Sequence, residues 1–414
     1  MARSNLFLLM RKRGQRISRQ LQLAFIVLAL LWLVLSLWQA PVVWQAKPNT
    51  QELRGVWMTN YGTALMYYTT RLDEVIAHLA QYRLNTLYPA VWNRGYTLHS
   101  SQIASQAGSK SRDPLTSLPL LPFQDKLWGL VHQAHRQHLR LIPWFEYGLI
   151  LPVRSPIAQK HPDWLSMTQS GDRGNGWLNP FHPQVQQFLT DLIVEVVQRY
   201  PVDGIQLDDH FGLPTEFGYD PYTIKLYQAD HLGAKPPSNP ADEEWIAWRA
   251  ERLTQLMAHI TKAVKAKRPR AVVSLSPHAP NFAYHKYLQD WRRWVNLGLV
   301  DEVVVQVYRQ DLAALKEQLY NGGFRPLLHQ MPISVGLYTG PILAAKQIYN
   351  LGNEVQAVRA AGYKGVSFFC WETTFWLFKG SPEKQVKQTF LKLFPTASKA
   401  SIRGSQPDKT SEVN

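Results

Sequence analysis

A repeated alternation of strand-like and helix-like segments constrains the fold of this chain more than any other feature. After residue 52, short apolar runs rich in β-branched residues alternate with segments whose apolar residues recur at helical spacing. Such runs are typical of strands that are buried on both faces of a parallel sheet. The predicted strands lie at 54–60, 84–92, 139–148, 203–211, 271–277, 300–308, 333–340 and 365–373.

Eight strands with a helix between each pair predict an α/β fold, a single (β/α)₈ or TIM barrel over residues 53–395. A doubly wound parallel sheet is the alternative, and it would usually carry a glycine-rich turn after its first strand. The segment around the first strand, "RGVWMTNYGT", contains no GxGxxG motif. The sequence therefore favours the barrel.

The beginning of the chain has a different composition from the rest. Residues 1–20 form a basic tail without acidic residues, and residues 21–40 are mostly apolar and uncharged. A helix of about 20 apolar residues can span a bilayer, and basic residues before it favour a cytoplasmic N-terminus. We therefore expect an uncleaved transmembrane anchor at 21–40, a linker at 41–52 and the barrel in the periplasm or outside the cell. A cleaved signal peptide, which would release a secreted protein, is the alternative. The polar segment 396–414 is predicted to be a disordered tail.

Charge and cysteine content narrow the classes of function. The net charge is +15, but six of the basic residues lie in the first 20 positions and the chain has no recognised nucleic-acid motif. Nucleic acid is therefore not a predicted partner. The single cysteine, Cys370, excludes a disulfide within the chain and a multi-cysteine metal site.

Motifs for metal or serine chemistry are missing from the sequence. There is no HExxH motif for zinc and no GxSxG motif for a serine nucleophile. His132, His135 and His138 recur along one predicted helix, and we interpret them as part of a solvated surface. The sequence therefore predicts neither a metal nor a cofactor.

Acids, amides and aromatic residues recur where the predicted strands end. In a barrel these carboxyl-terminal ends carry the functional side chains, and aromatic rings there suit the binding of sugars. The predicted substrate-binding residues are Trp57, Asn60, Trp92, Asn93, Trp144, His210, His278, Gln306, Tyr308, Tyr338 and Trp371.

Four acids at the same ends are candidates for catalysis. Two facing carboxylates suit cleavage of a glycosidic bond, since one protonates the leaving oxygen and the other acts as nucleophile or as base for water. We expect Asp208 to stay ionised and Glu372 to be the acid, with its pKa raised by apolar neighbours such as Trp371. Asp209 is expected to support Asp208, and Glu146 is the reserve partner. Structural ion pairs of Glu146 and Glu372 are the alternative, and retention versus inversion stays open.

Several motifs in order resemble one family. They are "RGVW" at 54–57, "HPDWL" at 161–165, "LNPFHPQV" at 178–185, "RYPVDGIQLDD" at 199–209, "SLSP" at 274–277 and "VVVQVY" at 303–308. Across residues 52–375 the chain resembles the glycosyl hydrolase-like family ten domain. The resemblance implies an exported bacterial TIM-barrel glycosidase that acts on envelope glycans, including peptidoglycan strands without stem peptides.

The resemblance also implies an active-site role for Asp208, the first acid of the adjacent pair. The family more often has histidine two residues before this acid and tyrosine after the pair, whereas this chain has Gln206 and His210. The leading hypothesis is thus a membrane-anchored glycoside hydrolase acting on an envelope or extracellular polysaccharide. A non-catalytic carbohydrate-binding barrel and a polysaccharide-modifying metal hydrolase are the alternatives.

Overall fold

The computed structural model describes residues 19–31, 39–43, 52–117 and 125–395. The chain divides into two compact units, Met1–Val42 and Val43–Asn414. In the first unit, residues 19–31 form a helix. No helix in the described parts of the chain is long and apolar enough to cross a membrane, so the predicted anchor at 21–40 is not supported. Residues 32–38 of that anchor, like the predicted tail at 396–414, lie outside the described residues.

The second unit is built on eight parallel strands, counted over its described residues. They are β1 (Leu53–Met58), β2 (Thr86–Pro89), β3 (Arg140–Leu141), β4 (Gly204–Asp208), β5 (Val272–Ser276), β6 (Glu302–Val307), β7 (Ile333–Tyr338) and β8 (Gly365–Phe369). The helices around them are α1 (Asn60–Thr69), α2 (Leu72–Gln81), α3 (Gln102–Gln106), α4 (Lys126–Arg136), α5 (Pro156–Lys160), α6 (Pro183–Arg199), α7 (Pro221–Asp230), α8 (Glu243–Lys267), α9 (Pro280–Tyr287), α10 (Trp291–Asn296), α11 (Leu312–Asn321), α12 (Ile348–Ala360), α13 (Trp371–Thr374) and α14 (Glu383–Leu393).

The strands close into a barrel. In hydrogen-bonding order the sheet runs β3-β2-β1-β8-β7-β6-β5-β4. Backbone hydrogen bonds then join its two ends: Gln206 N–H donates to Pro143 O at 2.8 Å, and Phe145 N–H donates to Gln206 O at 2.9 Å. A doubly wound sheet would leave two edges open, so the closed order confirms the predicted barrel.

Two predicted strands are shorter than their apolar patterns. The segment predicted at 84–92 ends as a strand at Pro89 and continues into a hairpin of Trp92–Asn93 with Tyr96–Thr97. The segment predicted at 139–148 keeps only β3 as a regular strand, although Ile142 N–H still donates to Leu87 O at 3.0 Å and Trp144 N–H to Pro89 O at 2.8 Å. A turn then covers residues 146–149 at the mouth of the barrel, and Glu146 is its first residue.

A chain of hydrogen bonds fills the barrel interior. The Trp57 indole donates to Gln206 Oε1 at 2.6 Å, and Gln206 Nε2 donates to Ser274 Oγ at 3.0 Å. Glu302 Oε1 accepts from Ser274 Oγ at 2.9 Å and from the Tyr88 hydroxyl at 2.8 Å. All these bonds join side chains of different strands, so the polar core fixes the strands relative to one another.

Replacing Gln206 by leucine tests this network. The change leaves the buried Trp57 indole N–H without an acceptor, which costs roughly 1–3 kcal/mol in the free energy of unfolding. Urea unfolding should therefore show a lower midpoint for Gln206→Leu. Gln388→Leu, at an exposed position of α14, should stay within about 0.5 kcal/mol of wild type. Equal stabilities of the two variants would contradict the proposed importance of the network.

Candidate active site

Asp208 ends β4 at the centre of the barrel mouth. Its side chain is almost fully buried. Oδ1 accepts the backbone N–H of His210 at 3.0 Å, and Oδ2 accepts the Trp144 indole N–H at 2.8 Å. The Gln289 amide donates to the Asp208 carbonyl at 2.8 Å. Both the carboxylate and its backbone are therefore held in one orientation.

The imidazole of His210 lies between several charged groups. Its Nδ1 donates to the carbonyl of Glu146 at 2.7 Å and lies 3.6 Å from Asp208 Oδ2, while Nε2 lies 3.9 Å from Asp209 Oδ2. Burial alone would lower the pKa of His210, but the charges of Asp208 and Asp209 outweigh it and raise that pKa to about 10. His210 is therefore an imidazolium at neutral pH.

Asp208 and Asp209 titrate in opposite directions. Burial raises the pKa of Asp208 to about 6, against the opposing charge of His210. Burial also acts to raise the pKa of Asp209, but His278, His210 and Gln306 together lower it to about 2. The two adjacent acids differ because Asp208 is the more deeply buried and Asp209 has the closer charged and amide partners.

Asp209 is held by side chains from two other strand ends. Gln306 Nε2 donates to its Oδ1 at 2.6 Å, and His278 Nε2 lies 3.1 Å from its Oδ2. These contacts occupy both carboxylate oxygens. The geometry is that of an anchor for the loop after β4; that Asp209 supports Asp208 in a reaction stays a prediction.

Glu146 lies beside this cluster, in the segment after β3. Its Oε2 accepts a hydrogen bond of 2.6 Å from the Asn93 amide. Burial raises the pKa of Glu146 to about 7; the Asn93 hydrogen bond opposes this rise and the negative charge of Asp208 adds to it. Close to neutral pH, a substantial fraction of Glu146 therefore carries a proton beside an ionised Asp208.

Glu372 has a different environment from the one predicted. It lies in α13 and is buried. Its Oε1 accepts from the Thr59 N–H at 3.1 Å and from the Thr59 hydroxyl at 2.5 Å. A Cβ atom added to Gly62 would lie 1.6 Å from the same oxygen, so the carboxylate rests directly on the first turn of α1.

Trp371 faces away from the barrel mouth. Its ring stacks on Trp376 with centroids 5.3 Å apart. Both rings line an outer cavity of about 230 Å³ beside His78 and Tyr82 of the α2 region. The prediction that Trp371 contacts the substrate and desolvates Glu372 is therefore not supported, because β8 ends at Phe369 and the following turn directs Trp371 outward.

The other predicted aromatic residues separate into core and mouth. Trp92 is fully buried, donates to the Gly148 carbonyl at 3.2 Å and packs on Phe188. Trp57, also buried, is part of the interior network. Tyr308 and Tyr338 are partly exposed, and their ring centroids lie 6.0 Å apart. Burial raises the pKa of Tyr308, and the nearby charges of Asp209 and Asp208 raise it further.

Three further residues belong to this site but not to the predicted set of catalytic and substrate-binding residues. Phe369 stacks on Tyr308 at 5.1 Å and meets Trp144 edge-on at 6.2 Å, which makes an apolar floor beside Asp208. Gln289, which lies two residues after the end of α9, donates its side-chain amide to the Asp208 carbonyl. Arg94 holds Asn93 and, with Asn60, contacts Asp113. Phe369 and Arg94 stand at strand ends and could have been proposed from position; Gln289 carries no local signal.

Asp208, Asp209 and His210 form the group in the described residues that could hold a metal ion. One donor atom from each lies within 4.8 Å of the others. In this structure the same groups are engaged with Trp144, Gln306 and the Glu146 carbonyl. The three residues therefore form a hydrogen-bonded cluster of charged groups in this structure.

The chain is similar in sequence to known glycosyl hydrolases. The model of the glycosyl hydrolase-like 10 family matches residues 52–358. Glycosyl hydrolase DigH of Escherichia coli K12 is 26% identical over 310 residues, which are 63% of this chain and 66% of that protein. Glycosyl hydrolase YngK of Bacillus subtilis is 26% identical over 212 residues, 45% of this chain and 39% of that protein. The chain therefore spans less than two thirds of the length of these curated relatives.

Solved structures of glycoside hydrolases share the fold. The glycoside hydrolase domain of PgaB (BpsB) from Bordetella bronchiseptica aligns with a TM-score of 0.61 at 15% identity, over 82% of this chain and 99% of that domain. A β-galactosidase from Rahnella sp. R3 aligns with a TM-score of 0.59 at 13% identity, over 84% of this chain and 57% of that protein. At these identities the likeness shows the barrel fold alone.

Replacing His210 by glutamine tests the charge balance of the site. The amide can still donate to the Glu146 carbonyl, but the positive charge beside Asp208 is lost, so the pKa of Asp208 should rise above about 6. Carboxyl ¹³C NMR of aspartate-labelled protein measures this pKa. His135→Gln is the matched control, because His135 pairs with Asp203 at the opposite end of β4. An unchanged Asp208 titration in His210→Gln would refute the assignment.

Proposed function

This chain belongs to the glycosyl hydrolase-like 10 family, and on that premise we propose that it is a glycoside hydrolase whose reacting carboxylates are Asp208 and Glu146. The observation that carries the proposal is the difference between two neighbouring acids, the buried Asp208 and the partly exposed Glu146. Burial raises the pKa of Glu146 to about 7 and that of Asp208 to about 6, and the imidazolium of His210 lies beside Asp208. Glycoside hydrolysis needs one protonated and one ionised carboxyl group at the same time.

Glu146 supplies the proton in this mechanism. Only Oε2 is engaged, by Asn93, so a proton on Oε1 faces no competing hydrogen bond among those described. A carboxylic acid that keeps its proton near neutral pH can deliver it to the leaving glycosidic oxygen. The leaving group then departs as a neutral alcohol, which lowers the activation barrier for breaking the glycosidic bond.

Asp208 acts as the ionised partner. The Trp144 indole and the His210 backbone fix its two oxygens, and the imidazolium of His210 compensates its charge. A carboxylate held in this way can stabilise the positive charge that develops on the sugar ring, either as nucleophile or as base for a water molecule. The apolar floor of Phe369 and Tyr308 offers the sugar a surface to pack on.

Glu372, the partner predicted from the sequence, takes a supporting place in this proposal. Its Oε1 is shared between two donors of Thr59, the residue that caps α1. A group tied to a helix start is suited to fixing the mouth of the barrel. Substitution of Glu372 by glutamine therefore serves as the direct comparison for Glu146.

We also propose the substrate class and the location. The substrate is an envelope or extracellular polysaccharide, with peptidoglycan glycan strands without stem peptides as the first candidate. The barrel lies on the outer side of the cytoplasmic membrane, as the basic and apolar pattern of residues 1–40 indicates. The test is a fusion of the C-terminus to a reporter enzyme that works only in the cytoplasm. Activity of that reporter in the fusion would contradict this location.

Acid and partner can be separated by substitution. On purified glycan strands, Asp208→Asn and Glu146→Gln should each lose roughly 10²–10⁴-fold in the release of reducing ends. On a glycoside with a nitrophenol leaving group, Glu146→Gln should lose far less, because that group leaves without a proton. Glu372→Gln should show no such difference between the two substrates. If only Glu372→Gln lost less activity on the nitrophenol substrate than on glycan strands, Glu372 and not Glu146 would be the acid.

The pH dependence of wild type provides a second measurement. Below about pH 6 Asp208 gains a proton, and above about pH 7 Glu146 loses one. Activity should therefore follow a narrow bell with its maximum between these values, and Glu146→Gln should lose the alkaline limb. An alkaline limb that persists in Glu146→Gln would exclude this residue as the acid.

The same assays decide between the alternatives. Binding of glycan strands by wild type and by Asp208→Asn, with no reducing ends released by either, would indicate a carbohydrate-binding barrel. Loss of activity in a chelator that zinc restores would indicate a metal hydrolase built on Asp208, Asp209 and His210. Retained activity in the chelator supports the two-carboxylate mechanism.

A further inference from the structure

We propose that Arg94 is a positioning residue for Glu146 and acts through the side-chain amide of Asn93, whose direction it fixes. The inference rests on the proposed function in one respect, because it takes Glu146 as the acid. Arg94 does not contact Glu146 in any described hydrogen bond; the contact runs from the guanidinium to Asn93 and from Asn93 to the carboxyl group.

The two ends of the Asn93 amide have different partners. Arg94 Nε donates to Asn93 Oδ1 at 2.7 Å, and Asn93 Nδ2 donates to Glu146 Oε2 at 2.6 Å. A guanidinium has only donors, so it can donate to the oxygen of the amide and cannot form a hydrogen bond with the NH₂ group. The NH₂ end must then face Glu146.

The direction of this amide matters for proton transfer. With NH₂ towards Glu146, the amide stabilises the carboxylate and leaves Oε1 to carry the proton. With the amide reversed, its oxygen would face Oε2, and only a protonated Glu146 could bond to it. Glu146 would then hold its proton more tightly, because that proton would be donated in a hydrogen bond to the amide oxygen of Asn93.

Arg94 is itself fixed by a buried frame. Its Nη2 donates to Asn60 Oδ1 at 3.2 Å and lies 3.4 Å from Asp113 Oδ2, while the Asn60 amide donates to the same Asp113 oxygen. The guanidinium also lies 5.2 Å from the centroid of the exposed Tyr61 ring. Asn60 and Asp113 are buried, so this frame holds the charge at the rim of the mouth.

The backbone conformation at Arg94 is unfavourable for an arginine, which indicates that its side chain is needed at this position. Arg94 and Gly95 form the two-residue turn of the hairpin, with φ of 52° and 82°. Asparagine is the usual first residue of such a turn, and an arginine there costs roughly 1 kcal/mol. The cost indicates that the surrounding contacts hold this arginine in place.

The turn supplies a variant that separates positioning from folding. Arg94→Asn removes the guanidinium and places a residue that the turn prefers, so the hairpin should be no less stable than in wild type. Asn93→Leu removes the amide itself. Arg325→Asn is the matched control, because Arg325 makes a similar contact with a tyrosine ring, at 5.1 Å from Tyr320, but precedes β7 at the opposite end of the barrel.

The experiment is a titration of Glu146 in the full chain by ¹³C NMR of glutamate carboxyl groups, assigned with Glu146→Gln. Asn93→Leu should raise the midpoint by roughly 0.5–1 pH unit, the worth of one hydrogen bond. Arg94→Asn should raise it by a similar or smaller amount. The double variant should show no more than the shift of Asn93→Leu, and Arg325→Asn should show none.

Each outcome decides the proposal. An equal shift from Arg94→Asn with and without Asn93 would mean that Arg94 acts by its charge alone, and the proposal would be overturned. An unchanged midpoint in either single variant would overturn it as well. The titration needs no substrate, so a wild-type protein that cleaves no glycan would refute the proposed function and leave this result standing. Where activity is present, the alkaline limb should move with the midpoint.

Discussion

The contact between β3 and β4 is the constraint on which the rest of the site depends. These two strands close the barrel through a few backbone hydrogen bonds around Pro143 and Gln206. Hydrogen bonds to both neighbouring strands continue after β3 as far as Phe145, and the chain then turns at residues 146–149. That closure brings Glu146, which follows β3, beside Asp208, which ends β4. Neither acid could act on a shared substrate if the barrel opened at this seam.

Burial and charge compensation act together at this seam. Several carboxylates share a small, partly desolvated space, and one imidazolium lies among them. Desolvation raises the pKa of Asp208 and Glu146, whereas direct contacts with histidines and an amide keep that of Asp209 low. The same chemical group thus takes three different proton affinities within one cluster. Such divergence between neighbouring acids is what acid–base chemistry requires.

How far the sequence predicted the site depended on the strand on which each residue lies. Asp208 was placed correctly at the end of β4, because the apolar pattern before it stops there. Trp371 was not, because β8 ends at Phe369 and a helix begins two residues later, which turns the Trp371 ring towards the outer cavity. Trp92 was expected to contact substrate but is buried in the core. Position near a strand end is readable from sequence; the direction of a side chain beyond that end is not.

The sequence by itself determined the barrel, since eight buried strands with intervening helices leave few other arrangements, and it determined that Asp208 lies at the mouth. Tertiary structure alone decided which acids share that mouth and how each holds its proton. A pKa depends on burial and on charges within a few ångströms, and here those neighbours come from positions more than fifty residues apart, such as Asn93 and Glu146. No local pattern encodes such distances, so the balance between the carboxylates emerges only when the barrel closes.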